Sequence, residues 1–376
     1  MKNRTIKTSV KTSVVLSAIL ILILSLTACA HPGSSGKSPG GSSGTEITDN
    51  GDGSYSCEVF AMDTVMNLKA YGDHAEKALS DASSELIRLD GDLDVTNEDS
   101  LICALNQRKT DTAGGDTAAV IRQSLRMAEL TDGCFDPTIY PIVRAWGFTT
   151  EKYCIPDEKE IHELLSHVGY TGVSTSDVED GGLRIAFSDD QTEIDTGGIG
   201  KGYASEVIYR VMKEDGVESA VVSLGGNVMT IGSKPDGSRW KVAIEDPDNS
   251  DSGNYAGVIQ LADKFAITSG GYQRFFEKNG KKYIHIMDPA SGHPVDNDLS
   301  SVTIVSESGT EGDALSTALY VMGLEKAQEF WKTTDLEFEA ILITTEKELY
   351  VTEGIADSFM SDYGSLHTIT RQKSSD

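Results

Sequence analysis

The chain reads as α+β, with mixed, largely antiparallel sheets and flanking helices. Two observations predict this. Apolar residues at helical spacing are interleaved along the chain with short strand-like runs. Many of those runs are joined by tight turns, as in hairpins, instead of by the long crossovers of a parallel sheet. Asn279-Gly280 separates Phe275–Glu277 from Lys281–Met287, and Gly225-Gly226-Asn227 separates Ala220–Leu224 from Val228–Ile231.

Taken in order, Tyr55 to Ala70 reads as a strand pair or one long strand, and His74 to Leu89 as a helix with Ala78, Leu79, Ala82, Leu86 and Leu89 on its face. Leu101 to Leu105 is a short helical piece, Asp116 to Leu130 a helix stopped near Gly133, and Asp157 to Val168 another helix. Leu183 to Phe187 and Thr192 to Asp195 look like strands. Ala204, Val207, Ile208, Val211 and Met212 then recur at i, i+3, i+4, i+7 and i+8, a helix ended by Gly216. Trp240–Ile244, Gly257–Leu261, Phe265–Thr268 and Val302–Val305 add strands, Asp313–Met322 and Glu325–Lys332 helices, and Ala340–Thr344 with Leu349–Thr352 a last hairpin.

The first residues are a targeting segment. Lys2, Arg4, Lys7 and Lys11 precede the apolar run Val14–Leu26, too short for a comfortable permanent span. Leu26-Thr27-Ala28-Cys29 follows, and a small-residue site ending in cysteine resembles the lipobox of bacterial lipoproteins. The expected organisation is a signal peptide over 1–28, then Cys29 as the lipidated residue heading a flexible Ser/Gly-rich tether over 29–54, a domain over 55–367 and a polar tail over 368–376. The expected place is the extracytoplasmic face of the cell membrane.

The net charge is −27, with 59 acidic against 32 basic residues, and removal of the basic leader makes the remainder more acidic still. That argues against nucleic acid and against adhesion to anionic lipid. It also means that an anionic ligand needs locally gathered cations or a metal ion. The five cysteines include no C-x-x-C pair, so a zinc cage is not expected.

Four segments can carry chemistry. Glu193-Ile194-Asp195-Thr196-Gly197-Gly198-Ile199-Gly200-Lys201-Gly202-Tyr203-Ala204 brings an acid, four glycines and a lysine to a helix start, where unpaired backbone N–H groups favour phosphates. It is neither a Walker loop nor G-x-G-x-x-G. Pyrophosphate binding with Lys201 as point charge and Asp195 as acceptor, or a tight structural turn with a surface lysine, are both open. Asp313 and Thr317, four apart at a helix start, share a face and offer oxygens to a hard cation; alternatively Asp313 only complements its helix end. His285, flanked by Ile284 and Ile286, points away from them if the segment is a strand, and serves as base, phosphate donor or metal ligand, or simply as a hydrogen-bonded surface histidine. Thr268-Ser269-Gly270-Gly271-Tyr272 and Ser223-Leu224-Gly225-Gly226-Asn227 allow close backbone approach to a ligand and read equally as turns.

Together with Ala61-Met62-Asp63-Thr64, Gly133-Cys134-Phe135-Asp136-Pro137-Thr138 and Asp288-Pro289 after His285, these motifs, in this order from Cys57 to Tyr363, resemble the ApbE family of FAD:protein FMN transferases. The resemblance implies a T-fold-like architecture with a cleft between two subdomains. It implies that Met62, Cys134, Phe135, Asp136, Asp195, Lys201 and His285 contact FAD. Magnesium would be held by Gly198 through its carbonyl, by Asp313 and by Thr317. The implied reaction is Mg-dependent transfer of FMN from FAD to a Thr or Ser hydroxyl of an extracytoplasmic flavoprotein, releasing AMP, with His285 as base and Asp195 as nucleotide orienter or rival base. The implied partners are FMN-carrying subunits of membrane redox complexes and extracytosolic flavin reductases. Three departures stand out: Gly200 where relatives often have Ala, Thr96 near a place where relatives carry a flavin-stacking aromatic, and Cys134 in place of the commoner Ala, a site open to oxidation. Hydrolysis of FAD to FMN and AMP differs only in using water. A lipid-anchored flavin-binding or solute-capture protein would need neither Asp313 nor His285, and a purely structural surface lipoprotein would need none of the motifs.

Overall fold

A computed structural model describes residues 45–249 and 253–371, all within one compact unit that begins at Ser43. Cys29 and the leader lie outside the described residues. No helix among the described residues is long and apolar enough to cross a membrane.

In chain order, β1 (Thr48–Asp49), β2 (Ser54–Ala61) and β3 (Thr64–Tyr71) are followed by α1 (Ala75–Leu93) and α2 (Leu101–Asn106). Then come β4 (Thr112–Ala113), α3 (Gly115–Leu130), α4 (Tyr140–Ala145), α5 (Glu158–Leu165), β5 (Val173–Asp177), β6 (Leu183–Phe187) and α6 (Gly200–Glu214). The second half holds β7 (Ser219–Leu224), β8 (Asn227–Ile231), β9 (Trp240–Glu245), β10 (Tyr255–Leu261), β11 (Phe265–Gly270), β12 (Phe275–Lys278), β13 (Lys281–Ile284) and β14 (Leu299–Ser306). It ends with α7 (Gly309–Thr333), β15 (Phe338–Thr344), β16 (Glu348–Thr352), β17 (Phe359–Met360) and β18 (Ser365–Ile369).

Among the described residues ten strands form one sheet in the order β1-β2-β3-β7-β8-β11-β14-β15-β16-β18. Its pairings are antiparallel except β16 with β18, which is parallel. One face is covered by α1, α6 and α7, and side chains such as Met66, Leu68, Val222, Val302 and Ile304 meet theirs there. The opposite face, around Ala266, Val305, Ile341 and Ile343, is covered by the small sheet β17-β10-β9. The strand β14 is buried on both faces, and its sequence accordingly shows no clean alternation: Val302, Ile304 and Val305 are apolar, and the buried Ser301, Thr303 and Ser306 lie among them. A third sheet, β4-β6-β5, has its own core of Ile102, Leu105, Ile121, Leu183 and Ile185. The hairpin β12–β13 joins none of these sheets. It leans on α4 and α5 through Trp146, Phe148, Ile161 and Phe276.

The mixed, largely antiparallel α+β class expected from the sequence is what is found. Several local expectations are not. Thr192–Asp195 forms no strand: the segment touches the neighbouring chain only through an isolated bridge between Ile139 and Glu193, because its amides are taken by side chains and a loop, Ile194 N–H by Asn106 Oδ1 (2.8 Å) and Asp195 N–H by the Pro137 carbonyl (2.6 Å). The strand expected to run to Met287 stops at Ile284. The two expected C-terminal helices, by contrast, are both found: the helical stretch Gly309–Thr333, labelled α7 throughout, is broken at Gly323, whose φ of 76° and ψ of 171° are not helical and are adopted readily only by glycine. Within the stretch read as tether, β1 pairs with β2 at Thr48–Asp49, and β18 runs past His367 to Ile369.

The contact that positions the site is the crossing of α6 and α7. A Cβ on Gly202 would collide with the Gly309 carbonyl and with Asp313 Cβ, and a Cβ on Gly309 would collide with Ser205 Oγ. Gly202→Ala should therefore push the helices apart and destabilise the protein by about 1–3 kcal/mol, the usual cost of overpacking. Thermal unfolding of the variant checks this; an unchanged midpoint would show that the crossing yields freely.

Candidate functional site

The glycine turn of Asp195–Gly202 leads into α6, and its first free amides would ordinarily face solvent or a ligand. One of them is already occupied. Gly202 N–H donates to Asp313 Oδ2 at 2.7 Å, so a carboxylate from α7 caps the start of α6. This departs from the reading in which Asp313 only complements its own helix end: it sits in the second turn of α7, not the first, and it serves a neighbouring helix start. Asp313 is 5% exposed, and burial pushes its carboxyl up, opposed by the nearby Lys201 charge and the Gly202 N–H. The Asn227 amide, itself buried, reaches toward the same carboxylate without closing a hydrogen bond of good geometry.

One turn along α7 stands Thr317. A Cβ built on Gly198 would lie 3.6 Å from Thr317 Oγ1 and 3.0 Å from the Phe135 ring. The glycine turn, Phe135 and α7 thus converge at one point. Ser269 at the end of β11 adds a further oxygen, 2.7 Å from Ser316 Oγ and 3.4 Å from Thr317 Oγ1. Its motif was visible in the sequence only as a possible turn; nothing there signalled that Ser269 would brace Thr317. No group of three or more His, Cys, Asp or Glu side chains gathers among the described residues. A cation here would instead meet one carboxylate, one hydroxyl and one backbone carbonyl, a donor set of hard oxygens with room for phosphate and water. The residues fit: the buried Asp313 carboxylate keeps its second oxygen, and the cradle at Gly198 exists only because that residue has no side chain.

His285 lies just past β13, and its neighbours Ile284 and Ile286 are buried while it stays in partial contact with solvent. The alternation inferred for a strand therefore survives where the strand itself has ended. Its backbone N–H and its Nδ1 both lie 3.1 Å from the Arg274 carbonyl. A carbonyl only accepts, so Nδ1 carries the proton and Nε2 keeps a free lone pair. Burial, then the Arg274 charge and more weakly Lys201, lower the pKa of His285 to about 4. The ring sits in a cleft, not the core: its edge is wet, yet its surroundings disfavour charge. Asp195 is likewise raised by burial, held down in part by N–H donation from Gly197 (2.9 Å) and by the Arg274 charge.

Other expected residues take more specific places. Met62 and Asp63 form the two-residue turn between β2 and β3, both with positive φ (49° and 58°), where Asn-Gly would be usual. Asp90 holds this strained turn by accepting Met62 N–H at 2.8 Å. The Asp136 carboxylate is turned inward. It accepts from Thr138 N–H (2.8 Å) and Oγ1 (2.6 Å) and from Tyr170 N–H (2.9 Å), so contact with a nucleotide at this position falls to the backbone. Cys134 is half-buried, and burial pushes its thiol up, away from the thiolate that oxidation requires. Thr96 caps its own loop through Asp94 Oδ1 and offers no aromatic face. A separate hollow of about 260 Å³, lined by Tyr272, Tyr283, Ile284 and Tyr320, lies behind β13, and none of the residues above lines it.

Known proteins resemble this chain over most of its length. Residues 62–342 match the model of the ApbE family. An FAD:protein FMN transferase of Treponema pallidum is 28% identical over 323 residues, covering 81% of this chain and 88% of its own length. One from Escherichia coli K12 is 31% identical over 238 residues, or 62% of this chain and 66% of its own. The crystal structure of the ApbE protein of Thermotoga maritima is 28% identical and superposes with a TM-score of 0.73, over 80% of this chain and 97% of that one. A flavin transferase ApbE of Vibrio cholerae, 24% identical, shares the fold with a TM-score of 0.70 over 82% of this chain and 98% of its own. With most of its length matched by the family model and its motifs meeting around a single cleft, this chain belongs to the ApbE family.

Proposed function

We propose that the protein transfers FMN from FAD to a Thr or Ser hydroxyl of an extracytoplasmic flavoprotein and releases AMP, using magnesium, from a lipid anchor at Cys29. The relatives' names support flavin transfer. The observation that carries the reading is the meeting of Gly198, Asp313 and Thr317 beside Lys201 and His285.

FAD is FMN joined to AMP through a diphosphate. Transfer forms an ester bond between the acceptor oxygen and the FMN-side phosphorus and breaks the bond from that phosphorus to the bridging oxygen, which leaves with AMP. The hydroxyl proton goes to a base. His285 suits that role: its Nε2 is unprotonated at neutral pH, and the Arg274 carbonyl fixes its tautomer and ring plane. Lys201, near the start of α6, offers a point charge to a phosphate. Asp195, anchored to Pro137 and Gly197, orients the nucleotide. Phe135 closes the wall against Gly198. Magnesium would be held by Asp313, the Thr317 hydroxyl and the Gly198 carbonyl. When bound it would neutralise diphosphate charge and favour AMP as leaving group. Anchoring at the membrane would place the enzyme beside the FMN-carrying subunit of a redox complex or an extracytosolic reductase.

The test incubates the protein with FAD, Mg²⁺ and an acceptor flavoprotein produced without its flavin. Fluorescent flavin that survives denaturation on the acceptor, with one AMP released per flavin attached, is the expected result; AMP and free FMN regardless of acceptor would mean hydrolysis instead. His285→Ala should cut transfer by about 10²–10⁴-fold while FAD still binds, since general base catalysis contributes that much. Because His285 is deprotonated above a pKa of about 4, this group should leave transfer flat from neutral pH downward and extinguish it only as pH falls through about 4. Asp313→Ala, like chelation of Mg²⁺, should abolish AMP release, and retention of full activity in either case would refute the metal assignment.

A further inference from the structure

The same cleft contains a cation that the reading so far leaves without a task. Arg274 immediately precedes β12, and its side chain is exposed at the mouth of the cleft. Its guanidinium donates through Nη2 to the Phe148 carbonyl at 2.8 Å. Among the described residues no carboxylate forms an ion pair with it, although the protein carries a net charge of −27. Arg88, Arg122, Arg126, Arg144 and Arg184 each do have such a partner, while Arg108, Arg210, Arg239 and Arg371 lack one as Arg274 does, so what sets Arg274 apart is its place beside His285. Arg274 nevertheless acts electrostatically on both Asp195 and His285, so its charge lies near the glycine turn as well as the base. Its main chain cannot drift, because its carbonyl holds His285 at two points. The Phe148 carbonyl in turn belongs to the rigid aromatic cluster of Trp146, Phe148 and Phe276.

We infer that Arg274 is a further substrate-binding residue, whose guanidinium grips a non-bridging oxygen of the FMN-side phosphate next to His285. The inference rests on the flavin-transfer reading. A guanidinium fixed by one carbonyl keeps other N–H donors in a planar fork, the geometry that phosphate oxygens accept. As the acceptor oxygen adds to phosphorus and the bridging oxygen departs with AMP, negative charge builds on the non-bridging oxygens. The acceptor proton passes to His285 Nε2, and the Arg274 charge meets what accumulates on phosphorus. Lys201 faces the same phosphates from α6, so the two cations bracket the diphosphate from separate elements. The charged groups acting on His285 are Arg274 and Lys201, and the face packed against its ring is the uncharged Phe148. Removing the guanidinium therefore also removes a charge that disfavours imidazolium.

Arg274→Met and Arg274→Lys test this in the full-length protein, with FAD, Mg²⁺ and the flavin-free acceptor. In the Met variant kcat for covalent flavin transfer should fall about 10²–10³-fold, the cost of losing one donor to a developing oxyanion. Free guanidinium ion should restore part of that rate, whereas it should not rescue His285→Ala. The acid limb of the pH profile should move up from about 4 toward the ordinary histidine range. The Lys variant should fall between, because it keeps charge and loses the fork. Met-variant transfer within two-fold of the unaltered protein would overturn the inference. So would a slow variant with no rescue and an unmoved acid limb, since Arg274 would then only prop the hairpin against Phe148. If the unaltered protein attaches no flavin at all, it is the transfer reading that fails.

Discussion

The site depends on one close crossing. Where α6 meets α7, glycines at 202 and 309 leave backbone against backbone, and Asp313 reaches the first turn of α6 to accept the Gly202 N–H. That hydrogen bond ties the glycine turn to the helix that carries Thr317, and the Glu206 carboxylate of α6 adds to it by accepting from Ser308 Oγ and from Thr310 N–H at 3.1 Å. With them, Gly198 and Thr317 Oγ1 lie within reach of one small ion. The arrangement also explains how a carboxylate tolerates such deep burial. A helix start supplies partial positive charge, Lys201 supplies a full one, and both act on the same oxygen pair. These contributions offset desolvation only in part, so the carboxyl remains raised, which suits a group whose further compensation would come from a cation.

Electrostatics give the cleft its character. The surface as a whole repels anions, and the substrate of this family is an anion. Positive groups are therefore local: Lys201 from α6 and Arg274 from the start of β12, with neither spent on a carboxylate ion pair. Their combined field has a second effect: burial lowers the His285 pKa most, and the Arg274 and Lys201 charges act in the same direction to keep the ring neutral. A protonated histidine beside a diphosphate would bind it well and could not accept a proton. The cations that attract the substrate thus also preserve the base, and the two demands reinforce each other.

Much of the fold was legible because its signals are local. The Asn279-Gly280 hairpin, the helical face from Ala204 to Met212 and the doubly buried run Val302–Val305 follow from periodicity and turn chemistry alone. What escaped is non-local. The run ending in Asp195 has strand-like composition, yet its amides are claimed by Asn106 and Pro137, far apart in sequence. The parallel pairing of β16 with β18 has no turn to announce it. At the site the residue types were readable, but their directions were not. Asp136 looked like a ligand contact and is turned inward to fasten Thr138 and Tyr170. Tyr55 to Ala70 read as a strand pair or one long strand; it is the pair, and Met62-Asp63 is its strained turn, braced by Asp90. Arg274 gave no signal, since an arginine in a hairpin is ordinarily a solvated charge; what marks it is the carbonyl that holds His285 and a charge that acts on both Asp195 and His285.

The two halves of the site rest on different foundations. The oxygen donors stand on the main sheet and the helices that cover it, in the largest hydrophobic cluster. His285 and Arg274 stand beside a two-stranded hairpin that pairs with no sheet, held instead by the aromatic wedge of Trp146, Phe148, Phe276 and Tyr283. An isolated hairpin is marginal by itself, so the wedge is what keeps the base in place. Its most telling link is the Phe148 carbonyl, which receives the Arg274 guanidinium while the Phe148 ring lies edge-on to His285 at 6.5 Å. The cleft thus lies where the sheet–helix body meets a hairpin outside the sheets, tied to that body through Ile284 and Ile286 and to α4 and α5 through the aromatic wedge. An enzyme whose second substrate is another protein must leave one wall of its cleft open to that partner, and a base carried on a hairpin outside the sheets leaves such a wall.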